Sequence, residues 1–183
     1  DNAGGATTTA SNNTAVGADA LLVNSTGAGN TAVGKGAGAA VTTGSNNTIV
    51  GKLAGDAITT GSANVAIGED ALSSATTADN NIAIGQGAME ATTTSPNNTA
   101  VGFAALDAQT TGSGYNVAVG YNALTANTSG TENTASGWNS LGANTTGSYN
   151  TAYGGGSLGS STTGASNTAL GWKALDANTT ADN

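Results

Sequence analysis

The 183-residue chain contains no cysteine, no histidine and no arginine, and it has a single proline. Without cysteine it cannot form a disulfide framework. Without histidine or cysteine it lacks the side chains that most often serve as catalytic bases and nucleophiles. Aromatic residues make up 4% and charged residues 8% of the chain, which is little for a globular core and its solvated surface. The composition therefore indicates an architecture other than an ordinary globule.

Positive charge is also scarce, since three Lys stand against 11 acidic residues and the formal net charge is −8. A chain this acidic repels nucleic acid and anionic membrane surfaces. No run of apolar residues approaches the roughly 18 to 20 that are needed to span a bilayer. We therefore expect neither nucleic-acid binding nor membrane insertion, and a soluble or extracellular location.

What the sequence does contain is one motif repeated ten times. The pattern Asn-[Thr/Val/Ile]-[Ala/Ile]-[Val/Ile/Ser/Tyr/Leu]-Gly returns every 17 residues, with a single interval of 18 residues after Asn98. Numbering each repeat from this Asn defines repeat positions 1 to 17, and position 5 is Gly in every repeat. So strict a Gly indicates a corner with positive φ or a very close backbone contact. We interpret residues 1–183 as one repeat array, in which a partial repeat at 1–12 precedes ten repeats that begin at Asn13, Asn30, Asn47, Asn64, Asn81, Asn98, Asn116, Asn133, Asn150 and Asn167.

Seventeen residues cannot hold a helix and a crossover, so each repeat is predicted to form one coil of a parallel β-solenoid, or β-roll. The fold class is then all-β, with equivalent residues stacked about 4.7 to 4.9 Å apart in successive coils. Each coil should contain two short extended stretches, one over the NTAVG motif and one centred on Ala-Leu, as at Ala123 to Thr128. Because side chains alternate along a strand, we expect Val16 to point into the coil, whereas Ala15, Gly17 and the first Asn point outward.

Two features favour stacked coils over a disordered Gly/Ser/Thr tract, which is the alternative for so biased a composition. Repeat position 9 is Leu or Met in most repeats but Gly38 and Gly55 in two, and in those two repeats position 12 becomes Val41 and Ile58. Volume lost at one site returns at another, as expected for a close-packed interior. The extra residue of the long repeat and the only proline, Pro96, both fall in the same turn of the repeat unit, in two neighbouring repeats. No ladder N–H is required in that turn.

Each repeat offers only one Val and one Leu for burial against the ordering of seventeen residues. A single thin solenoid is therefore predicted to be marginally stable. A partner chain that covers another face would supply the missing burial. We predict a homo-oligomer, specifically a trimer, packed through the small Ala and Gly residues of the outward face.

The NTAVGxxAL…TTGS unit resembles the head repeats of trimeric autotransporter adhesins, and it is similar, more closely still, to the repeat shafts of phage tail fibres. The resemblance covers nearly the whole chain. It implies a left-handed parallel β-roll, trimerisation, and attachment or spacer duty outside the cell, on a cell surface or on a virion tail.

Stacking turns each repeat position into a column of equivalent side chains. The column at position 1 consists of the ten Asn residues that begin the repeats. Side-chain amides at this spacing can hydrogen-bond along the axis, as Asn ladders do. We therefore predict a structural role for this column.

Repeat position 6 is the most variable column and predicts an exposed corner, where Lys52 and Glu69 would form a surface ion pair on adjacent coils. Aromatic residues concentrate at this position in the C-terminal half, and two Tyr occur at position 17. Exposed rings suit glycan stacking or contact with a partner, although the same rings could shield a turn or lie in the oligomer interface. The candidate contact residues are Phe103, Tyr115, Tyr121, Trp138, Tyr149 and Trp172.

The carboxylates are scattered over several repeat positions, and Glu90 and Asp107 share position 10 on neighbouring coils. An exposed pair without a cleft is more typical of solvated side chains than of a glycosidase. A calcium ion would need about six to eight oxygen ligands. We therefore predict no enzymatic activity, no cofactor and no metal site.

These observations favour a rigid structural segment of an extracellular fibrous protein, such as a tail fibre or an adhesin, that contacts a surface receptor or glycan. A self-assembling extracellular filament is the alternative, because open solenoid ends can add to one another like unprotected edge strands. Ice binding is a minor alternative, since the paired Thr at positions 13 and 14 point to opposite sides and give only single Thr files.

Overall fold

The computed structural model describes residues 2–5 and 9–182, and these residues form ten three-residue β-strands joined by turns. The strands form one parallel sheet in sequence order. Neighbouring strands are in register, so that Thr14 lies beside Thr31 and Val16 beside Val33. The prediction of an all-β parallel solenoid with one repeat per coil is confirmed. The strands are β1 (Thr14–Val16), β2 (Thr31–Val33), β3 (Thr48–Val50), β4 (Val65–Ile67), β5 (Ile82–Ile84), β6 (Thr99–Val101), β7 (Val117–Val119), β8 (Thr134–Ser136), β9 (Thr151–Tyr153) and β10 (Thr168–Leu170).

The prediction of which strand residues point inward is wrong. Position 3 is buried from Ala32 onward, whereas Val16 and Val33 at position 4 are more than a third exposed. The reason is space, because position 9 projects into the interior against position 3. A Cβ added at Gly38, for example, would lie 2.9 Å from Cδ1 of Ile49. Only a small residue fits across from a Leu, so the Ala face is interior and cannot be the oligomer interface that the sequence suggested.

The second predicted extended stretch is also wrong, because it is a turn. Residues 121–126 form a turn, and Leu124 has a left-handed backbone with φ of 53°. Every Leu and Met at position 9 shares this conformation. Hydrogen bonds between coils nevertheless continue here, since the Leu124 N–H donates to the Ser140 carbonyl at 3.0 Å. Stacked coils can thus bond along the axis without extended dihedral angles.

The Gly at repeat position 5 forms the corner after each strand. The ten residues of this column have φ between 121° and 140°, a region that side chains rarely adopt. A Cβ on Gly68 would lie 2.5 Å from the carbonyl oxygen of Gly85 in the next coil. Both expected features, the positive φ and the close backbone contact, are therefore present.

The interior is repacked where Gly replaces Leu. Val41 and Ile58 are fully buried, and a Cβ added at Gly55 would lie 2.8 Å from Cδ1 of Ile58. Cδ1 of Ile49, which replaces Ala at position 3, lies 3.5 Å from the same point. These three side chains occupy the volume that Leu fills in other coils, as conservation of interior volume predicts. The sequence reasoning identified Val41 and Ile58 but missed Ile49.

The extra residue of the long repeat is absorbed in the turn before β7. The Tyr115 N–H already donates to the Asn97 carbonyl at 3.1 Å, so the register is regained before the strand begins. Pro96 occupies repeat position 16, where the N–H groups of Ser45 and Ser62 bond to side chains of the next coil instead of its backbone. A proline there removes no backbone ladder bond, as expected.

Candidate interaction face

The described residues enclose no cavity or cleft. Within residues 2–5 and 9–182, no three His, Cys, Asp or Glu side chains gather as a metal site would require. The same residues contain no helix that is long and apolar enough to cross a bilayer. The features that could carry function are therefore columns and faces of the rod.

Three carboxylates at position 10, those of Asp56, Glu90 and Asp107, lie in surroundings that favour the neutral form. Burial raises the pKa of Asp107 and of Glu90, and repulsion from Asp107 and Asp70 adds to the rise at Glu90. Burial, opposed by backbone hydrogen bonds, likewise raises the pKa of Asp56. The first cause in each case is burial of the carboxylate, which disfavours its charged form.

The Asn column lies inside the coil and connects successive coils. The Asn64 Oδ1 accepts the backbone N–H of Asn81 at 3.0 Å, and the Asn64 Nδ2 donates to the Ala78 carbonyl at 2.8 Å. The bond from Oδ1 to the next N–H repeats without a break from Asn13 to Asn167. The amides thus satisfy buried backbone groups that would otherwise lack partners.

One face of the rod carries nearly all of the exposed large apolar side chains. Residues at repeat positions 2 and 4 point out of the sheet, and positions 17 and 6 border the strand at its two ends. We call these four columns the outer sheet face. Of sixteen exposed large hydrophobic residues, fourteen belong to it. They are Val16, Val33, Ile67, Ile82, Phe103, Tyr115, Val117, Val119, Tyr121, Trp138, Tyr149, Tyr153, Leu170 and Trp172. So one-sided an apolar surface is typical of an interaction site.

The six predicted contact residues all lie on the outer sheet face, but they form two columns at opposite margins. Both margins are well exposed, with Trp172 at 68% and Tyr115 at 58%. The strand separates the two columns, so the rings do not form one strip. Position 6 holds Phe103, Tyr121, Trp138 and Trp172, and position 17 holds Tyr115 and Tyr149.

The rings at position 6 stack in pairs. Phe103 and Tyr121 have ring centroids 5.1 Å apart and planes 11° from parallel. Trp138 and Trp172 stack at 6.1 Å and 15° although a whole coil separates them. Gly155 of that coil makes room, because a Cβ there would lie 2.6 Å from the Trp172 ring. Each contact covers one face of each ring, and the four side chains remain 45% to 68% exposed. The pairs therefore form an apolar margin that is still accessible to a partner.

The sequence reasoning missed Tyr153 and Leu170, which are 62% and 77% exposed. Both occupy position 4, for which the alternation of the strand predicts an interior location. A signal was present in the repeat itself, since position 4 also tolerates Ser136 whereas position 3 is always Ala or Ile. A column that accepts residues of such different size and polarity is more typical of a surface than of a packed interior.

The outer sheet face has no net charge, unlike the rest of the rod. Its four columns contain Lys35, Lys52, Glu69 and Glu132, whose charges cancel. The Lys52 Nζ lies 2.7 Å from the Glu69 Oε1, and this hydrogen bond raises the pKa of Lys52. The remaining described residues contain Lys173 and eight carboxylates, a net charge of −7. Repulsion between copies is therefore concentrated away from this face.

Comparison with protein-family models, with curated proteins and with solved structures finds no match to this chain.

Proposed function

We propose that the chain is a non-enzymatic structural segment of an extracellular fibrous protein, a tail fibre or a surface adhesin. In such a fibre it provides rigidity and a scaffold for surface attachment. The observation that carries the proposal is the unbroken in-register stack of ten strands. The same coil, repeated without a break, builds a rod.

Rigidity follows from the direction of the hydrogen bonds. Backbone N–H groups in the strands and in the turns bond to the neighbouring coil, as from Gly36 to Ala18 at 2.8 Å. The buried Asn column adds a second axial chain of bonds. Nine intervals of about 4.8 Å make the stack about 43 Å long. Bending such a rod requires many axial bonds to lengthen together.

Electron microscopy of the purified chain tests the spacer role. We expect discrete rods of one length, about 43 Å along the coil axis, together with slow cleavage by a broad-specificity protease. Indefinite end-to-end growth would instead support the filament alternative. Irregular particles with rapid cleavage throughout would contradict both. The variant Gly68→Ala, which strains a corner, is the control. If protease resistance depends on the stack, this variant is cleaved faster than the native chain.

Surface attachment is tested separately from rigidity. Adhesion of chain-coated beads to cells or to glycan arrays is compared between the native chain and the double variant Trp138→Ala/Trp172→Ala. We expect weaker adhesion of the variant if the aromatic margin makes the contact. Unchanged adhesion would show that Trp138 and Trp172 do not contribute to the attachment site.

Ice binding has less support. The Thr42 Oγ1 donates to the Thr59 carbonyl at 3.0 Å, and the Thr59 Oγ1 donates to the Thr76 carbonyl at the same distance. The position 13 hydroxyls are thus bonded to the next coil. Position 14 alone remains as an exposed column of Thr, which is the single file that the sequence predicts. Measurable thermal hysteresis in a solution of the purified chain would contradict this view.

A further inference from the structure

We propose that the outer sheet face binds a second copy of this chain, with the two rods parallel and equivalent coils at the same level. The inference rests on the proposed fibre role and deepens it, since it names the surface through which copies associate. It also replaces the interface that the sequence suggested, because the structure places the Ala column of that interface inside the coil.

Charge restricts where two copies can meet. Outside the outer sheet face the described residues carry a net charge of −7, and within it the two Lys and two Glu cancel. The central columns, positions 2 and 4, contain no charged residue in any of the ten repeats. The sides with positions 7, 10 and 16 would bring carboxylates of both copies together, whereas this face brings together neutral surfaces. The turn at positions 11 to 15 is also uncharged, but its exposed side chains are mostly Thr and Ser. Charge and apolar content together therefore favour the outer sheet face.

The size of the face is sufficient for a stable interface. Four columns separated by about 5 to 7 Å span about 15 to 20 Å, and the stack is about 43 Å long, so the face covers roughly 650 to 850 Å². A standard protein interface buries about 800 Å² per partner. The apolar content also fits, because fourteen of the sixteen exposed large hydrophobic residues would be covered at once.

The margins of the face fit a parallel arrangement. When two parallel copies face each other across an axis along the rod, position 17 of one copy lies opposite position 6 of the other. No coil then places two charged margin residues opposite each other. Lys35 faces Gly29, Lys52 faces Asn46, Glu69 faces Ala63 and Glu132 faces Trp138. In this arrangement the aliphatic N-terminal half of the face contacts the same half of the other copy. The aromatic C-terminal half likewise contacts its equivalent.

Sedimentation of matched charge variants tests the surface. Val33→Glu/Val119→Glu places two carboxylates on the outer sheet face. Thr43→Glu/Ser129→Glu places two in the same two coils at position 14, which is exposed on another side. We expect the native chain and the position 14 variant to sediment at two chain masses at micromolar concentration. The face variant should dissociate at least about 100-fold more readily, with an unchanged circular dichroism spectrum.

Spin labels test the orientation, and the absence of native cysteine makes labelling specific. Val33→Cys carries a label on the second strand. Parallel copies bring the two labels within about 20 Å of each other, whereas antiparallel copies separate them by about seven coils, or about 34 Å. In pairs formed by mixing Val33→Cys chains with Tyr153→Cys chains, the expectation is reversed. The two labels are then about 34 Å apart in the parallel arrangement and within about 20 Å in the antiparallel one. The longer distance in the Val33→Cys sample would overturn the parallel arrangement.

A native chain that sediments as a monomer at about 100 µM would overturn the inference. So would equal masses of the native chain and the face variant. If a monomeric chain binds glycan or ice and the face variant loses that binding, the face belongs to that partner instead. A monomer that still forms protease-resistant rods leaves the spacer role intact, whereas a chain that forms neither rods nor oligomers loses both proposals.

Discussion

The interior of the solenoid and its outer sheet face differ in how much variation they accept. Inside, position 1 is always Asn and position 3 is Ala or Ile, and nearly all of these residues are fully buried. Outside, position 4 ranges from Ser to Tyr and position 6 from Gly to Trp. Each interior column packs on copies of itself and on an opposite column, so a change in one must be matched in another. The outer columns contact copies of themselves, as in the Trp138–Trp172 stack, but no opposite column packs on them within one chain.

The exceptions inside follow the same rule. Where position 9 loses its Leu, at Gly38 and Gly55, the volume returns through Val41, Ile58 and Ile49. The interior therefore conserves total volume and not residue identity. The outer face conserves neither, and its four columns together carry no net charge.

The largest effect should come from the corner column. Gly68→Ala forces a Cβ into a backbone with φ of 132° and to within 2.5 Å of the Gly85 carbonyl oxygen. We expect the free energy of unfolding to fall by at least about 3 kcal/mol, measured by urea denaturation. Gly61→Ala is the matched control for the backbone conformation: its Cβ would also lie 2.5 Å from a carbonyl oxygen, that of Ala78, but its φ is not positive, and the same position is Ala78 in the next coil. Equal losses for the two variants would contradict the special role of position 5.

The buried Asn column should give the next largest effect. Asn64→Ala leaves the Asn81 N–H and the Ala78 carbonyl without partners in the interior. We expect a loss of about 2 to 4 kcal/mol. Thr48→Ala, at an exposed outer position, should change stability by less than about 0.5 kcal/mol. Similar denaturation midpoints for both would show that the ladder contributes little.

Volume conservation predicts a non-additive series. Gly38→Leu alone overfills the interior, since its Cβ would lie 2.9 Å from Ile49 Cδ1 and 3.3 Å from Val41 Cγ2. We expect a loss of about 1 to 3 kcal/mol. Ile49 also fills the space beside Gly55, so the full series adds Ile49→Ala and Val41→Asn together with Gly55→Leu and Ile58→Asn. This restores the common repeat in both coils and should recover most of the loss. Purely additive losses in thermal unfolding would contradict coupled packing.

The smallest effect is a pH dependence from position 10. The folded chain raises the pKa of Asp107 and Glu90 above 3.8 and 4.5, the ordinary values. Between the ordinary and the raised pKa the folded state binds more protons than the unfolded state, so stability is greatest at low pH and falls as pH rises through this window. Asp107→Asn/Glu90→Gln should flatten that fall in urea denaturation from pH 3 to 7. Thr43→Gln, at an exposed site, should retain the native slope.

Much of the fold could be predicted from the sequence because the repeat carries redundant information. Ten copies of one motif reveal the period, the place of the insertion before Asn116 and the linked changes at Gly38 and Val41. The orientation of the strand could not be read in the same way. A period of two gives two alternating faces, Asn-Ala-Gly and Thr-Val, and ordinary hydrophobicity assigns Val to the inside. The opposite is observed.

The candidate site was predicted in part for the same reason. Aromatic residues at positions 6 and 17 stand out against an otherwise uniform repeat, and all six lie on the exposed face. Their division between two margins, the Trp138–Trp172 stack over Gly155 and the exposure of Tyr153 depend on how strand and corner are oriented. None of these is a local property of the chain.

The sequence by itself determined the 17-residue period, the in-register stacking of like residues and the need for Gly at every corner, because each of these repeats identically along the chain. Only the tertiary structure decided which side of the strand is buried. The left-handed Leu at position 9 sends a large side chain into a narrow coil from the opposite wall. The remaining space admits Ala and a fully bonded Asn, and Val is left on the surface.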